Sequence, residues 1–145
     1  MRLSELQLED LHVERLVVEA CPDAPPETRG GRLALDVVHL AQSNESSDKW
    51  KVTIRIRVEA EEERQPPYSI DVRLTGFFRY VDQSGADPIP EAGQIVLFNG
   101  TSVLFSAARE HIWLATSRGP WGGFSLPTVD LRGLAVDALE DDPES

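Results

Sequence analysis

Residues 103–134 have the sequence VLFSAAREHIWLATSRGPWGGFSLPTVDLRGL, and this stretch decides the fold. Its first half repeats apolar side chains at helical spacing, at Val103, Leu104, Ala107, Ala108, Ile112 and Ala115. The repeat predicts a helix from Val103 to Ser117, because this spacing places one apolar stripe along a helix. Thr101 or Ser102 would cap its start. Arg118-Gly119-Pro120 would end it, since glycine accepts left-handed geometry and proline bars continuation.

The second half of the stretch predicts a loop and another helix. The loop Gly119–Gly123 is rich in glycine, contains Trp121 and is followed by Phe124. Asp130 is typical of a helix N-cap and precedes a helical pattern of Leu131, Leu134, Ala138 and Leu139. Upstream, Asn99-Gly100 interrupts the apolar sequence between Ile95–Phe98 and the first helix. We therefore expect two main helices, the first beginning after this interruption.

The sequence before these helices alternates between apolar and polar residues, as strands do. Apolar side chains occupy every second position from Trp50 to Ala60 and again from Tyr68 to Leu74, and Phe78 and Tyr80 continue the second pattern. Gln65-Pro66-Pro67 separates the two runs, which predicts an antiparallel pair joined by a modest loop. Leu33, Leu35 and Val37 alternate in the same way ahead of a polar loop.

The first apolar run changes phase twice along residues 6–18. Its apolar residues are even-numbered, then odd-numbered, then even-numbered again, at Leu6, Leu8, Leu11, Val13, Leu16 and Val18. Each change needs an extra residue or a bend, so we expect a bulged first strand. Strands thus precede helices, which predicts the α+β class: a four-stranded antiparallel sheet followed by two main helices packed on one side.

Composition excludes several classes of function. The chain has 145 residues and a net charge of −11, from 25 acidic and 14 basic residues. This excess of acid repels phosphate and argues against nucleic-acid binding. Cys21 is the only cysteine, so no intrachain disulfide is expected. The N-terminus lacks the apolar core of a signal peptide, and no apolar run suits a membrane span, so we expect a cytoplasmic protein without membrane insertion.

Motifs for catalysis or cofactor binding are missing from the sequence. His12, His39 and His111 share no metal-ligand spacing, so we expect no metal site. Arg109-Glu110 is better explained as a charged helix face than as a catalytic pair. The glycine-rich loop follows a helix instead of opening one, so it lacks the helix N-terminus that holds a phosphate. We expect neither an enzyme nor a bound cofactor.

The placement of aromatic side chains is the most unusual feature of the sequence. Phe77 and Phe78 are adjacent and must point to opposite faces of one strand, so one of them needs a covering surface. Further aromatic residues lie near the glycine-rich loop. Together they predict a groove for apolar peptide segments, with a lining of Tyr68, Phe78, Phe98, Trp121, Phe124 and Leu126.

The chain resembles the SecB family of export chaperones from about Leu6 to Leu139. The similarity is carried by WKVTIRIRVEAE, SIDVRLTGFF and an ordered C-terminal set: Ala108-Arg109-Glu110, Ser117-Arg118-Gly119 and Leu126-Pro127-Thr128-Val129-Asp130-Leu131. The resemblance implies one SecB-like domain over residues 1–139, and the acidic residues that follow predict a flexible tail over 140–145. It also implies a homotetramer, a dimer of dimers with the first helix at their contact. The function that the resemblance implies is that of an ATP-independent holdase, which binds unfolded preproteins for export.

Departures from the family pattern leave two alternatives. The family offers acidic residues to the motor SecA, and Glu19 and Asp71 match such positions, but Arg15 stands where an acid is expected. We therefore expect SecA to bind weakly or not at all. Prolines usual after Arg-Gly are replaced by Gly122-Gly123, which loosens that loop. One alternative is a SecB-like chaperone that protects the antitoxin of a toxin–antitoxin system. The other is an oligomeric binding module for one folded partner.

Overall fold

Four antiparallel strands and one long helix make up the described part of the chain. The computed structural model describes residues 5–21, 31–61, 64–81 and 89–127. The strands lie in the order β1-β4-β3-β2. Their bounds are β1 Leu6–Ala20, β2 Arg32–Gln42, β3 Lys49–Glu59 and β4 Tyr68–Tyr80, and α1 spans Ile89–Thr116. The predicted α+β class and four-stranded antiparallel sheet are confirmed.

One face of the sheet, here called the inner face, packs against α1 and forms the core. Alternate residues of β3 and β4 are buried on it: Val52, Ile54, Ile56, Val58, Ile70, Val72 and Leu74. Strands β3 and β4 pair directly, with Ile54 opposite Leu74. Phe78 is buried, whereas Phe77 lies on the opposite, outer face beside Lys51. The predicted strand pair and the opposite orientation of the two phenylalanines are therefore confirmed.

Strand β1 contains two register shifts against β4. They fall between Leu8 and Asp10 and between Val13 and Arg15, where the apolar pattern changes phase. Glu9 and Glu14 are the extra residues, so the apolar side chains stay on the inner face. The predicted bulges are confirmed. Strand β2 has one more shift, after Val37, which its short alternation did not reveal.

Helix α1 differs from the predicted helix at its beginning. It starts at Ile89 and passes through Asn99-Gly100 without a break, so the prediction that Thr101 or Ser102 caps it is wrong. Gly100 faces the sheet: a Cβ there would be 3.3 Å from the Phe78 ring. Packing of the helix against the sheet outweighs glycine's unfavourable helix propensity, about 1 kcal/mol relative to alanine.

The helix ends where the sequence indicated, but by a different glycine geometry. Regular helix stops at Thr116, and the amide of Gly119 donates to its carbonyl at 2.8 Å. The left-handed residue is Gly122, with φ of 76°, not Gly119 as predicted. The predicted second helix from Asp130 and the acidic tail 140–145 lie outside the described residues. Within the described ranges, no helix is long and apolar enough to cross a membrane.

Candidate functional site

The segment after α1, residues 117–127, is here called the aromatic loop, and the Tyr68 hydroxyl anchors its middle. This hydroxyl donates to the carbonyl of Gly122 at 2.7 Å and accepts from the amide of Trp121 at 3.1 Å. Tyr68 begins β4 and is 2% exposed, so its position is set by the sheet. The aromatic loop is therefore tied to the sheet at its centre.

Two further hydrogen bonds hold the loop on either side of this anchor. The hydroxyl of Thr116, buried at the end of α1, accepts from the amide of Phe124 at 2.8 Å. The indole nitrogen of Trp121 donates to the carbonyl of Cys21 at 3.1 Å. The loop thus connects the end of the helix with the end of β1 and the start of β4.

Gly119 allows the loop to lie directly against Tyr68. A Cβ at this position would be 2.8 Å from the Cε1 atom of the tyrosine ring, which is closer than real side chains approach. Gly123 packs in the same way against the ring of Trp113, at 2.8 Å. These glycines serve close packing, since neither has a left-handed backbone.

Beside the anchored loop lies an apolar cleft of about 360 Å³. Its walls are formed by the aromatic loop, the start of β2, the end of β3 and the two prolines before β4. The lining residues are Gly31, Leu33, Val58, Pro66, Pro67, Phe124 and Pro127. The Phe124 ring contacts Tyr68 edge to face, with ring centroids 6.4 Å apart. This volume lies at the lower end of ligand pockets, about 300–1,000 Å³, and suits one large apolar side chain.

Three of the predicted lining residues meet at this end of the sheet. Phe124 lines the cleft, Trp121 is half-buried in the loop, and Tyr68 is buried beneath both. Leu126, 1% exposed, belongs to the hydrophobic core. Phe78 is also in that core, but at the opposite end of β4. It lies ten residues from Tyr68, which corresponds to about 33 Å along an extended strand. Phe98 is half-buried on α1.

Several walls of the cleft are not predicted by the sequence pattern. The Pro66-Pro67 pair beside Tyr68 indicates a break between strands, although a proline pair next to an aromatic residue also suggests an apolar wall. Leu33 and Val58 are opposite each other in the β2–β3 pairing. Leu33 and Val58 come together through the register of the β2–β3 pair, which the alternation of each strand does not predict.

The outer face carries a smaller cleft of about 230 Å³ near Phe77. Ala41, Trp50 and Lys51 are among the other residues that line it. The Lys51 ammonium lies 6.0 Å from the Phe77 ring centroid, and the His12 ring contacts that ring edge to face at 5.0 Å. The charged lysine beside the Phe77 ring disfavours a purely apolar segment in this smaller cleft. The larger apolar cleft lined by Phe124, here called the Phe124 cleft, is therefore the better candidate site.

Charged side chains of the outer face pair with one another. Both Asp71 and Glu19 lie on this face, and so does Arg15, whose Nε is 3.0 Å from an Asp71 oxygen. Arg55 donates two further bonds to the same carboxylate, at 3.0 and 2.9 Å. Hydrogen bonding to Arg55 holds the pKa of Asp71 below its ordinary value, since with Arg15 it outweighs the opposing effect of burial. The Asp71 carboxylate is thus occupied by two guanidinium groups.

Apolar side chains remain exposed on β1 and α1. On the inner face of β1, helix α1 leaves Leu8, Val13 and Leu16 between 41% and 43% exposed. On α1 itself, Val103, Trp113 and Leu114 are exposed, Leu114 by 64%. Isolated apolar residues on a surface are common, but two sets of them on adjoining elements are typical of a surface that binds another protein.

The fold matches a solved structure of a SecB-like chaperone from Mycobacterium tuberculosis, in complex with a ChAD peptide from the HigA1 antitoxin. Sequence identity is 17% and the TM-score is 0.58, over 86% of this chain and 88% of that one. A Streptococcus agalactiae protein of unknown function matches with 11% identity and a TM-score of 0.46, over 85% and 97% of the two chains. No protein-family model and no curated protein matches the sequence. The likeness to the chaperone shows that this chain has a SecB-like fold.

Proposed function

We propose that this protein is an ATP-independent holdase chaperone that binds unfolded polypeptide segments at the Phe124 cleft. The observation that carries the proposal is an apolar cleft whose aromatic wall is held in place by hydrogen bonds to the sheet. The SecB-like fold supports it, because the Mycobacterium tuberculosis chaperone with that fold binds an antitoxin peptide. The proposed role requires no bond to be made or broken, and hence no catalytic residue.

One cleft of this size does not supply enough binding energy alone. Full burial of a large apolar side chain contributes roughly 1.5–3 kcal/mol. Micromolar affinity needs about 8 kcal/mol before the cost of ordering the client. Several such clefts must act together, as they would in the proposed tetramer, where one long client reaches several subunits. Long unfolded segments should therefore bind, and short peptides only weakly.

Two kinds of client fit this proposal. Export preproteins require SecA as the receiving partner, and on the outer face Arg15 and Arg55 already occupy the Asp71 carboxylate. Because this pairing weakens the case for SecA, it favours the second kind of client, the unstructured segment of an antitoxin. The antitoxin peptide bound to the M. tuberculosis chaperone supports the same choice. We propose the antitoxin role as the second candidate for the identity of the client, with the same binding chemistry.

Suppression of aggregation tests the proposal directly. Light scattering would follow an aggregating unfolded protein with and without stoichiometric amounts of this chain, in the absence of ATP. We expect suppression by the wild type and about tenfold weaker binding by Phe124→Ala, the loss typical of removing an anchoring aromatic. Phe77→Ala is the matched control, because it removes a half-buried phenylalanine from the other face. Equal aggregation with and without the wild type would contradict the proposal.

The range of bound clients separates a chaperone from a binding module. A holdase binds many unrelated unfolded chains in competition with one another, because apolar clefts recognise composition more than sequence. A module for one folded partner would bind none of them. Competition among three unrelated unfolded proteins, measured by displacement of a labelled one, would distinguish the two roles.

A further inference from the structure

We infer that the Tyr68 hydroxyl is a positioning group for client binding: it fixes the aromatic loop so that Phe124 stands as a wall of the cleft. The inference rests on the proposed function and deepens it. Tyr68 was predicted from sequence as a lining residue, but it is 2% exposed. It therefore acts through the loop and not by touching the client.

The backbone of the loop is least restricted by side chains at the point where the hydroxyl binds it. Gly122 has a positive φ of 76° and is followed by a second glycine, and glycine restricts the chain least of all residues. The hydroxyl bonds the carbonyl of Gly122 and the amide of Trp121, on both sides of the peptide that joins them. Phe124 follows only two residues later, so freedom at Gly122 is transmitted to its ring.

The other anchors of the loop do not replace this one. Thr116 holds the amide of Phe124, which fixes one backbone atom but not the direction in which the ring points. The Trp121 indole is bonded to Cys21 through its side chain. The amide of Gly122 donates to the carbonyl of Gly119 at 3.0 Å, but this bond lies within the loop and does not tie it to the sheet. The Tyr68 hydroxyl binds the same backbone from the sheet, and the tyrosine ring meets Phe124 edge to face.

Tyr68→Phe is the decisive variant, because it keeps the ring contact with Phe124 and removes only the hydroxyl. Hydrogen–deuterium exchange of residues 117–127 reports loop order. Fluorescence anisotropy with a labelled, carboxymethylated and permanently unfolded protein reports client affinity. We expect faster exchange in the loop and about threefold to tenfold weaker client binding, the range that one ordinary hydrogen bond corresponds to.

Thr75→Val is the matched control for a merely structural effect. It also removes one buried hydroxyl from β4, bonded to Thr53 at 2.7 Å, but on the outer face. We expect it to lower the melting temperature without changing loop exchange or client affinity. Gly119→Ala tests the same contact from the loop side, because its Cβ would displace the Tyr68 ring. Combined with Tyr68→Phe it should weaken binding by less than the product of the two separate effects.

The outcomes separate this inference from the function on which it rests. Failure of the wild type to bind the unfolded protein would overturn the proposed function and the inference with it. Normal client affinity in Tyr68→Phe would overturn the inference alone, whether or not loop exchange had changed. Equal loss of affinity in Thr75→Val would also overturn it, since general destabilisation would then explain the effect.

Discussion

Asp71 is where three charged side chains of the outer face meet, and its pKa makes stability depend on pH. Because Arg55 and Arg15 lower this pKa, the folded state favours the carboxylate more than the unfolded state does. The resulting stabilisation is fully present above the ordinary pKa of 3.8 and is lost as the pH falls through the lower, folded-state value.

Asp71→Asn should therefore cost stability at neutral pH and much less in acid. We expect the variant to lower the free energy of unfolding by about 1 kcal/mol at about pH 7. This loss lies between the contribution typical of an exposed ion pair and that of a hydrogen bond to a charged group. Urea unfolding of both proteins at about pH 7 and about pH 3 would measure the difference. A difference that is equal at the two pH values would show that the carboxylate charge does not contribute.

Arg15 should weaken the attraction of the same surface for a basic partner. Exposed carboxylates steer such partners at low salt, but Arg15 lies within bonding distance of Asp71. We expect weak SecA binding by the wild type, stronger binding by Arg15→Asp and weaker binding by Glu19→Lys, measured by surface plasmon resonance at low salt. Tight SecA binding that persists in Glu19→Lys and Asp71→Lys would place the docking surface elsewhere.

Within helix α1, two buried threonines differ in how their hydroxyls are satisfied. The Thr116 hydroxyl donates to the carbonyl of Ile112 at 2.8 Å and accepts from Phe124. The Thr101 hydroxyl is fully buried and has no hydrogen-bond partner among the described residues. Burial of an unpaired hydroxyl costs about 1–3 kcal/mol.

The same substitution should consequently have opposite effects at these two positions. We expect Thr101→Val to raise the free energy of unfolding by about 1 kcal/mol, because it removes an unpaired polar atom and keeps the shape. Thr116→Val, its matched control, should lower it by about 1–2 kcal/mol. Chemical denaturation measures both changes. Destabilisation by Thr101→Val would indicate that its hydroxyl has a partner beyond the described residues.

The strands could be predicted from the sequence because alternation is a local property. Both bulges of β1 were visible as changes of phase, and the structure shows what the extra residues do: Glu9 pairs with Lys49, and Glu14 meets Thr75 and lies 3.6 Å from Arg73. The insertions thus add charge to the outer face and leave the inner face apolar.

What the sequence did not reveal depends on contacts between distant elements. The continuity of α1 through Gly100 follows from its approach to Phe78, and local propensity alone predicts a break there. The role of Gly119 likewise depends on Tyr68, which is distant in the sequence. The placement of the aromatic residues predicted the lining set, but only the structure separates those in the core from Phe124, which lines the cleft.

For the whole molecule, apolar surface and charge act in opposite directions on assembly. The exposed apolar residues of β1 and α1 favour association, because each side chain buried contributes roughly 1.5–3 kcal/mol. The net charge of −11 on every chain opposes it. Salt screens the charges and leaves the apolar contribution in place. We therefore expect an assembly that tightens as salt is added, and light scattering across a salt series at fixed protein concentration would show this.

Leu114→Glu tests whether α1 forms the contact between dimers in the proposed tetramer. Leu114 is 64% exposed, so a glutamate there should hardly change the stability of the single chain. In the tetramer it would bury a charge without a partner, and we expect dissociation to dimers. Light scattering measures the mass, and Ser69→Glu is the control, because it adds the same charge to the exposed outer face. If the wild type is a monomer at micromolar concentration, the proposed tetramer is wrong. If Leu114→Glu remains a tetramer, the contact lies on another surface, and the exposed side chains of β1 become the next to test.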